Sequence, residues 1–216
     1  MGEYRKQGFQ PDDIPFQGFI MMKIIEKLMT EMEIAAYQGV RNPAAADGAP
    51  LTELVDGLLT IVADEITATN LTPVTTAAHT TSNAVANAEA VHAALAEEYQ
   101  ASPTVMLCSM AFARKYCTNH KVDFGKYTSD KKQGALIQIP LDFGDCMLTP
   151  TFGMSGSSRL ICTPASNLIH LYDDSADATK IRVQEIHRST DLMIDGKVGF
   201  DFGIVHDKIL AVNNLT

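Results

Sequence analysis

The chain has 216 residues, 46% apolar and 20% charged, which suits one large domain or two small ones around a shared core and excludes disorder throughout. A net charge of −9 at pH 7 without a clustered basic run argues against a protein that grips a phosphate backbone. The nearest basic group is Lys126, Lys131 and Lys132, with Asp130 beside it.

Residues 1–13 read as a polar lead-in holding Gly8 and Pro11. They lack the apolar stretch of a signal peptide, and Lys6 breaks the myristoylation pattern. Asp12 and Asp13 precede Ile14-Pro15, a helix start with acid near the positive end of the dipole. From there Phe16, Phe19, Ile20, Ile24, Leu28, Met32 and Ala35 repeat every 3.6 residues. Met21, Ile25 and Met29 widen the stripe, and Lys23, Glu26, Lys27, Glu31 and Glu33 fall on the other side. The spacing predicts one helix of about 23 residues, roughly 35 Å long, ended by Gly39 at the C′ position.

Residues 40–50 are a loop by composition. A second helix is expected over Leu51–Ile66, on Leu54, Leu58, Ile61, Val62 and Ile66. The Thr-rich stretch Thr67–Ser82, with Pro73, reads as a surface crossing. Asn83 is expected to cap a third helix running to about Tyr99. After Pro103, Thr104–Ser109 is a buried strand, Met110–Cys117 a short helix and 118–134 a loop. Short strands follow at Leu136–Ile139, Cys146–Thr149, Arg159–Thr163, Leu168–Tyr172, Ile181–Arg188 and Leu192–Phe202, with a last one within Ile204–Val212. Helices first and strands afterwards predict an α+β protein, not alternating βαβ units. Charges interrupt every apolar stretch, so no membrane span is expected.

No residue cluster points to chemistry. Gly153-Met154-Ser155-Gly156-Ser157 approximates a nucleophile elbow, but Ser157 stands where the motif needs Gly and no helix follows, so a hairpin is expected. Asp173-Asp174-Ser175-Ala176-Asp177 lacks the Gly and closing Glu of a calcium loop. His79, His92, His120, His170, His187 and His206 form neither HxH nor HExxH; His170 and His187 share the strand-rich half, but no third ligand can be named. Cys108, Cys117, Cys146 and Cys162 have no zinc spacing, and all but Cys117 lie in apolar runs that suit buried free thiols in a reducing compartment. No catalytic residue, cofactor or metal site is expected.

The order of elements is more specific than any fragment. The long helix ends in Ala35-Ala36-Tyr37-Gln38-Gly39 and is followed by a Pro/Ala/Gly loop and Asp56-Gly57-Leu58-Leu59. This resembles the spine helix of tailed-phage major capsid proteins of the Hong Kong 97-type fold, which encapsulins share. Ala101–Phe112 resembles the family's strand and short helix after the second long helix. Leu136–Pro140 resembles the strand returning into the axial domain, and Ile181–Gln184 and Ile204–Val212 resemble the closing strands.

The resemblance implies a peripheral, spine-helix domain over 14–118 and 191–216 and an axial domain over 119–190. It implies a structural subunit of an icosahedral phage or prophage shell, assembled in the bacterial host cytoplasm by lateral self-association into pentamers and hexamers. Its partners would be itself and other capsid or scaffolding proteins, with no sequence-specific nucleic acid and no membrane. The family carries an N-terminal arm and an extended hairpin before the spine helix; here a short polar segment precedes Ile14, so a monomer or small oligomer is expected of this chain alone. An encapsulin-like compartment shell and a phage tail or connector component are rival readings. From another class, the rival is a hydrolase on an unrelated α+β fold, using Ser155 and a histidine such as His170.

Overall fold

The computed structural model describes residues 16–46, 48–125, 132–133, 136–137, 139–142, 144–172, 182–185, 192–195, 200–204 and 209–216. The lead-in 1–13, Lys126, Lys131, the run Asp173–Asp177, His187, His206 and the turn at Gly196-Lys197 lie outside these residues.

Helix α1 spans Phe16–Gln38, 23 residues, as the periodicity predicts. The helix expected over Leu51–Ile66 is two pieces, a 3-10 turn at Leu51–Glu53 and α2 at Leu58–Thr67. Gly57 separates them in an extended conformation with φ −79° and ψ 166°. The helix expected from Asn83 to Tyr99 is also divided, into α3 (Ala84–Ala93) and α4 (Glu97–Gln100), because Ala96 is extended. Asn83 makes no forward cap: its side chain accepts from the Thr80 amide at 2.7 Å and donates to Ala78 O. The Val85 amide is capped instead by the buried Asn119 Oδ1, at 3.0 Å.

Strand β1 is Thr104–Ser109, and α5 runs Met110–Phe124, beyond the expected end at Cys117. Ser109 Oγ accepts from the Phe112 amide at its start, and Gly125, at φ 70°, ends it in the left-handed conformation that suits glycine. The remaining strands are β2 (Lys132–Gln133), β3 (Leu136–Ile137), β4 (Ile139–Pro140), β5 (Cys146–Thr151), β6 (Ile161–Pro164), β7 (Leu168–Tyr172), β8 (Arg182–Glu185), β9 (Leu192–Asp195), β10 (Phe200–Ile204) and β11 (Ala211–Val212). The run expected over Leu192–Phe202 is thus two strands, and the described part of the last strand is Ala211–Val212.

A five-stranded mixed sheet in the order β11-β6-β1-β5-β4 forms the centre. Within it β1 and β5 are parallel and the other pairs antiparallel. Side chains alternate along a strand, so the sheet has two faces. On one, Met106 and Cys108 of β1 pack with Val85, Ala88 and Val91 of α3 and Phe112 and Tyr116 of α5. On the other, Leu107 packs with Leu58 and Val62 of α2, Met154 and Val212, with Tyr37 of α1 against them. Helices cover both faces, which is why β1 reads as an unbroken apolar run. The sheet joins β1, from the segment expected to be peripheral, to β4, β5 and β6, from the segment expected to be axial, in one hydrogen-bonded layer. Strands β7–β10 and β8–β9 pair separately. No helix among the described residues is long and apolar enough to cross a membrane.

Candidate assembly surface

Three glycines fix the C-terminal end of α1. Gly39 ends the helix, but not with the positive φ of a C′ glycine. What requires glycine is close packing: a Cβ there would overlap Val55 O and sit 2.6 Å from Ala35 O. Gly57 approaches from the other side, where a Cβ would lie 2.6 Å from Gly39 N and 2.6 Å from Tyr37 C. The Gly57 amide donates to Gly39 O at 2.9 Å, and Thr60 Oγ1 donates to the same oxygen at 2.6 Å. Gly153 is the third; a Cβ there would overlap the Tyr37 ring. Glu33 accepts from the Phe152 and Gly153 amides at 3.1 and 3.3 Å, and Gln38 Nε2 donates to Gly153 O and Ser155 O at 2.6 and 2.9 Å.

Farther up α1, Ile24 and Leu28 are half-buried while Met22, Ile25 and Met29 are 51%, 41% and 66% exposed. Spaced by three and four residues, these three share one helix face. Phe152, beside the clamped end, is 53% exposed. Exposed Lys23–Glu26 and Lys27–Glu31 pairs, at 2.9 and 3.5 Å, flank the apolar stripe. Such pairs add little to stability. Contiguous exposed apolar side chains on an anchored helix are the chemistry of a contact surface.

Ser155 is exposed on the loop after the 3-10 turn Phe152–Met154. Its carbonyl is taken by Gln38, and the hydrogen bonds of the buried histidines His79 and His120 run to other residues. His170 lies on β7, paired in register with Phe202. No group of three or more potential metal ligands occurs among the described residues. Cys108, Cys146 and Cys162 are buried free thiols and Cys117 is half-buried.

Nothing in the local sequence pattern signals the buried polar network around His79. Its Nε2 lies 2.9 Å from Ser158 O, and a carbonyl can only accept, so Nε2 carries the proton. Nδ1 then accepts from Asn87 Nδ2 at 2.9 Å. Burial is the main cause lowering the His79 pKa; the Ser158 bond opposes it, and the Lys115 ammonium, which donates to His79 O, adds to it. Asn213 Nδ2 donates to Ser158 O at 2.9 Å, its Oδ1 accepts from Leu160 N at 2.8 Å, and its carbonyl accepts from Arg159 Nη1 at 3.0 Å. The network ties 74–79, 158–160 and 213–214 together. Its members are far apart along the chain, so only the folded arrangement reveals it.

No family model matches the chain, and no curated protein does. Among solved structures, a chain of the "Satellite phage P4 procapsid including size determination (Sid) protein" shares the fold, with a TM-score of 0.59 at 16% identity. The match covers 92% of this chain and 63% of that one, so this chain spans less than two thirds of its neighbour's length. The mixed helix-and-sheet fold is therefore one that also occurs in a phage procapsid.

Proposed function

We propose that this chain is a structural subunit of an icosahedral phage or prophage shell, a major-capsid-type protein of the Hong Kong 97 kind that acts by lateral self-association and not by catalysis. The observation that carries the reading is the clamped α1 helix with Met22, Ile25 and Met29 exposed along it, within a fold shared with a procapsid chain. A lever whose end is locked by three close-packed glycines transmits force between neighbours without bending. Its apolar face supplies area for contact.

The two-domain division of the family remains part of the proposal, with its boundaries redrawn: 84–93, 104–118 and 211–212 pass from the peripheral to the axial part, and 168–172 and 182–185 pass the other way. A hydrogen-bonded sheet moves as a unit, so we assign β1, β4, β5, β6 and β11, with α3 and α5, to the axial body. Helix α1 and the pairs β7–β10 and β8–β9 belong to the peripheral part. The partners are further copies of the chain and other capsid or scaffolding proteins, and the place of action is the virion shell, assembled in the host cytoplasm.

Electron microscopy of the purified chain, beside sedimentation across a wide concentration range, tests the reading. Rings of five or six or closed shells support it. A chain that stays monomeric at every concentration, with a metabolite co-purifying in an apolar pocket, overturns it.

A further inference from the structure

Cys146 and Cys162 bring two thiols together across a strand. They sit on β5 and β6, which both pair with β1, so their backbones lie about 10 Å apart at the usual strand spacing. Their sulfurs are nevertheless 3.9 Å apart, and both residues are buried. The distance alone is what two packed thiols show. Their surroundings go beyond packing. Thr104 of β1 is in register with Cys146, and its hydroxyl faces both thiols. It is only 2% exposed, yet its Oγ1 makes no hydrogen bond of ordinary geometry, a costly arrangement for a buried polar atom. Met106, two residues on and so on the same face of β1, is in register with Cys162 and fully buried. The Cys162 thiol donates to Cys146, which eases ionisation of Cys146 and holds the proton on Cys162. A disulfide cannot consume the pair, because it needs closer Cα atoms.

We infer that Cys146 and Cys162 form a two-thiolate site for one soft monovalent ion of the copper(I) class, which would tie β5 to β6 over β1. Soft sulfur donors select such an ion. Two metal–sulfur bonds of about 2.3 Å span the 3.9 Å between the sulfurs at an angle of about 115°. That open angle leaves room for a neutral third donor, and the Met106 thioether and Thr104 hydroxyl share the face on which the thiols meet. Zinc fits poorly. A structural zinc takes four ligands, and among the described residues no third His, Cys, Asp or Glu joins the pair. Calcium and magnesium require oxygen donors. Binding is an exchange without redox change: each thiol gives its proton to solvent, two copper–sulfur bonds form, and the ion stays copper(I). The bound unit carries one negative charge, which the Thr104 O–H meets by donating to a sulfur. The site belongs to the central sheet and does not depend on the shell reading.

The test loads the full chain with copper(I). The reduced protein is refolded from urea under argon with copper(I), because the thiols are enclosed in the folded state, and is then desalted against the chelator bicinchoninate. We expect one copper retained per chain, ultraviolet thiolate-to-copper absorption, and a urea midpoint above that of the metal-free chain. Cys146→Ala and Cys162→Ala should each lose the copper, while Cys108→Ala and Cys117→Ala keep it. Thr104→Val, which keeps the side-chain shape and removes only the hydroxyl, should weaken retention at least tenfold. Circular dichroism checks the fold of each variant. Should a cysteine variant fail to fold, the stoichiometry and midpoint of the unaltered chain still decide. The inference is overturned if that chain retains no copper or gains no stability from it, if the copper is lost with Cys117 instead, or if Thr104→Val binds as tightly. It is also overturned if zinc(II) at equal concentration displaces the copper. The loading does not require assembly, so shells formed by a chain that retains no copper sink this inference alone, and copper held by a chain that never forms capsomers sinks the shell reading alone.

Discussion

Gly39 and Gly57 meet backbone to backbone, with the Gly57 amide donating to Gly39 O across a gap that admits no Cβ on either residue. The contact joins the end of α1 to the start of α2, and Gly153 seats the Phe152–Met154 turn against the same helix end.

Alanine at Gly57 or Gly153 should therefore destabilise strongly, because the obstructing atoms are backbone or a packed ring. We expect a loss of about 1–3 kcal/mol or more for each. Gly48→Ala is the control: its Cβ meets nothing, and only the positive φ of 86° opposes it, at about 1–2 kcal/mol. Chemical denaturation followed by circular dichroism separates the cases by their midpoints.

The exposed face of α1 should be neutral for the fold and decisive for association. Lysine at Ile25 and Met29 is expected to shift stability by no more than about 0.5 kcal/mol, as exposed substitutions do. The same variant should abolish the oligomers seen by sedimentation. Loss of both fold and association would mean that the face packs within the chain.

Stability should fall on acidification through His79 and His92, whose pKa values are both lowered mainly by burial. Well above the ordinary histidine value of about 6.5 both rings are neutral in the folded and unfolded chain, so these groups give no pH dependence there. Below that the unfolded chain takes up protons that the folded chain refuses, and unfolding is favoured progressively. The loss levels off once pH passes the lowered folded values. Urea midpoints between pH 8 and 5 should trace this curve, and His79→Gln should flatten it.

Removing the Asn119 side chain should cost about 1–2 kcal/mol, the range for a lost helix cap, with more if its buried partner stays unpaired. The local signature is faster hydrogen exchange at the Val85 amide, whose acceptor is Asn119 Oδ1. Asn83→Ala should leave that amide protected.

Thiol reagents should modify Cys117 first, because Cys108, Cys146 and Cys162 are buried while Cys117 is half-buried. The Cys146 and Cys162 sulfurs lie 3.9 Å apart, yet their strands β5 and β6 flank β1, which places the backbones roughly 10 Å apart at the usual strand spacing. Disulfide formation needs closer Cα atoms. Diamide treatment of the folded chain followed by peptide mass spectrometry should show no link between them.

Strong periodicity makes an element legible from sequence alone. Helix α1 and strands β1 and β7 fall where the sequence places them, because long stripes and bounded apolar runs have few other solutions. The failures have specific causes. In Leu51–Ile66 the apolar spacing continues across Gly57, although packing against Gly39 forces that residue out of helix. The polar tail of α5 reads as loop because His120 pairs with Asp142 and Asn119 with Val85, partners that no local window contains. Thr67–Ser82 reads as surface, yet Thr76 and His79 are buried, held by Asn214 and Ser158. Gly39 reads in the sequence as a helix end and Gly57 as part of a helix, but both serve as contacts, a role set by the backbone that the fold brings against each. Arg159 gives no signal, since a single arginine beside a strand is ordinary.

The parallel bridge between Val74 and Asn213 has a kinetic meaning. Thr76 bonds to Asn214 across 138 positions of sequence, and β11 pairs with β6 at the sheet's edge. Until the ribosome has released the chain through Asn214, β6 keeps an open edge and His79 faces an empty place. Contacts so distant in sequence form slowly and leave sticky intermediates meanwhile. The delay leaves the edge of β6 open to wrong pairings until β11 arrives.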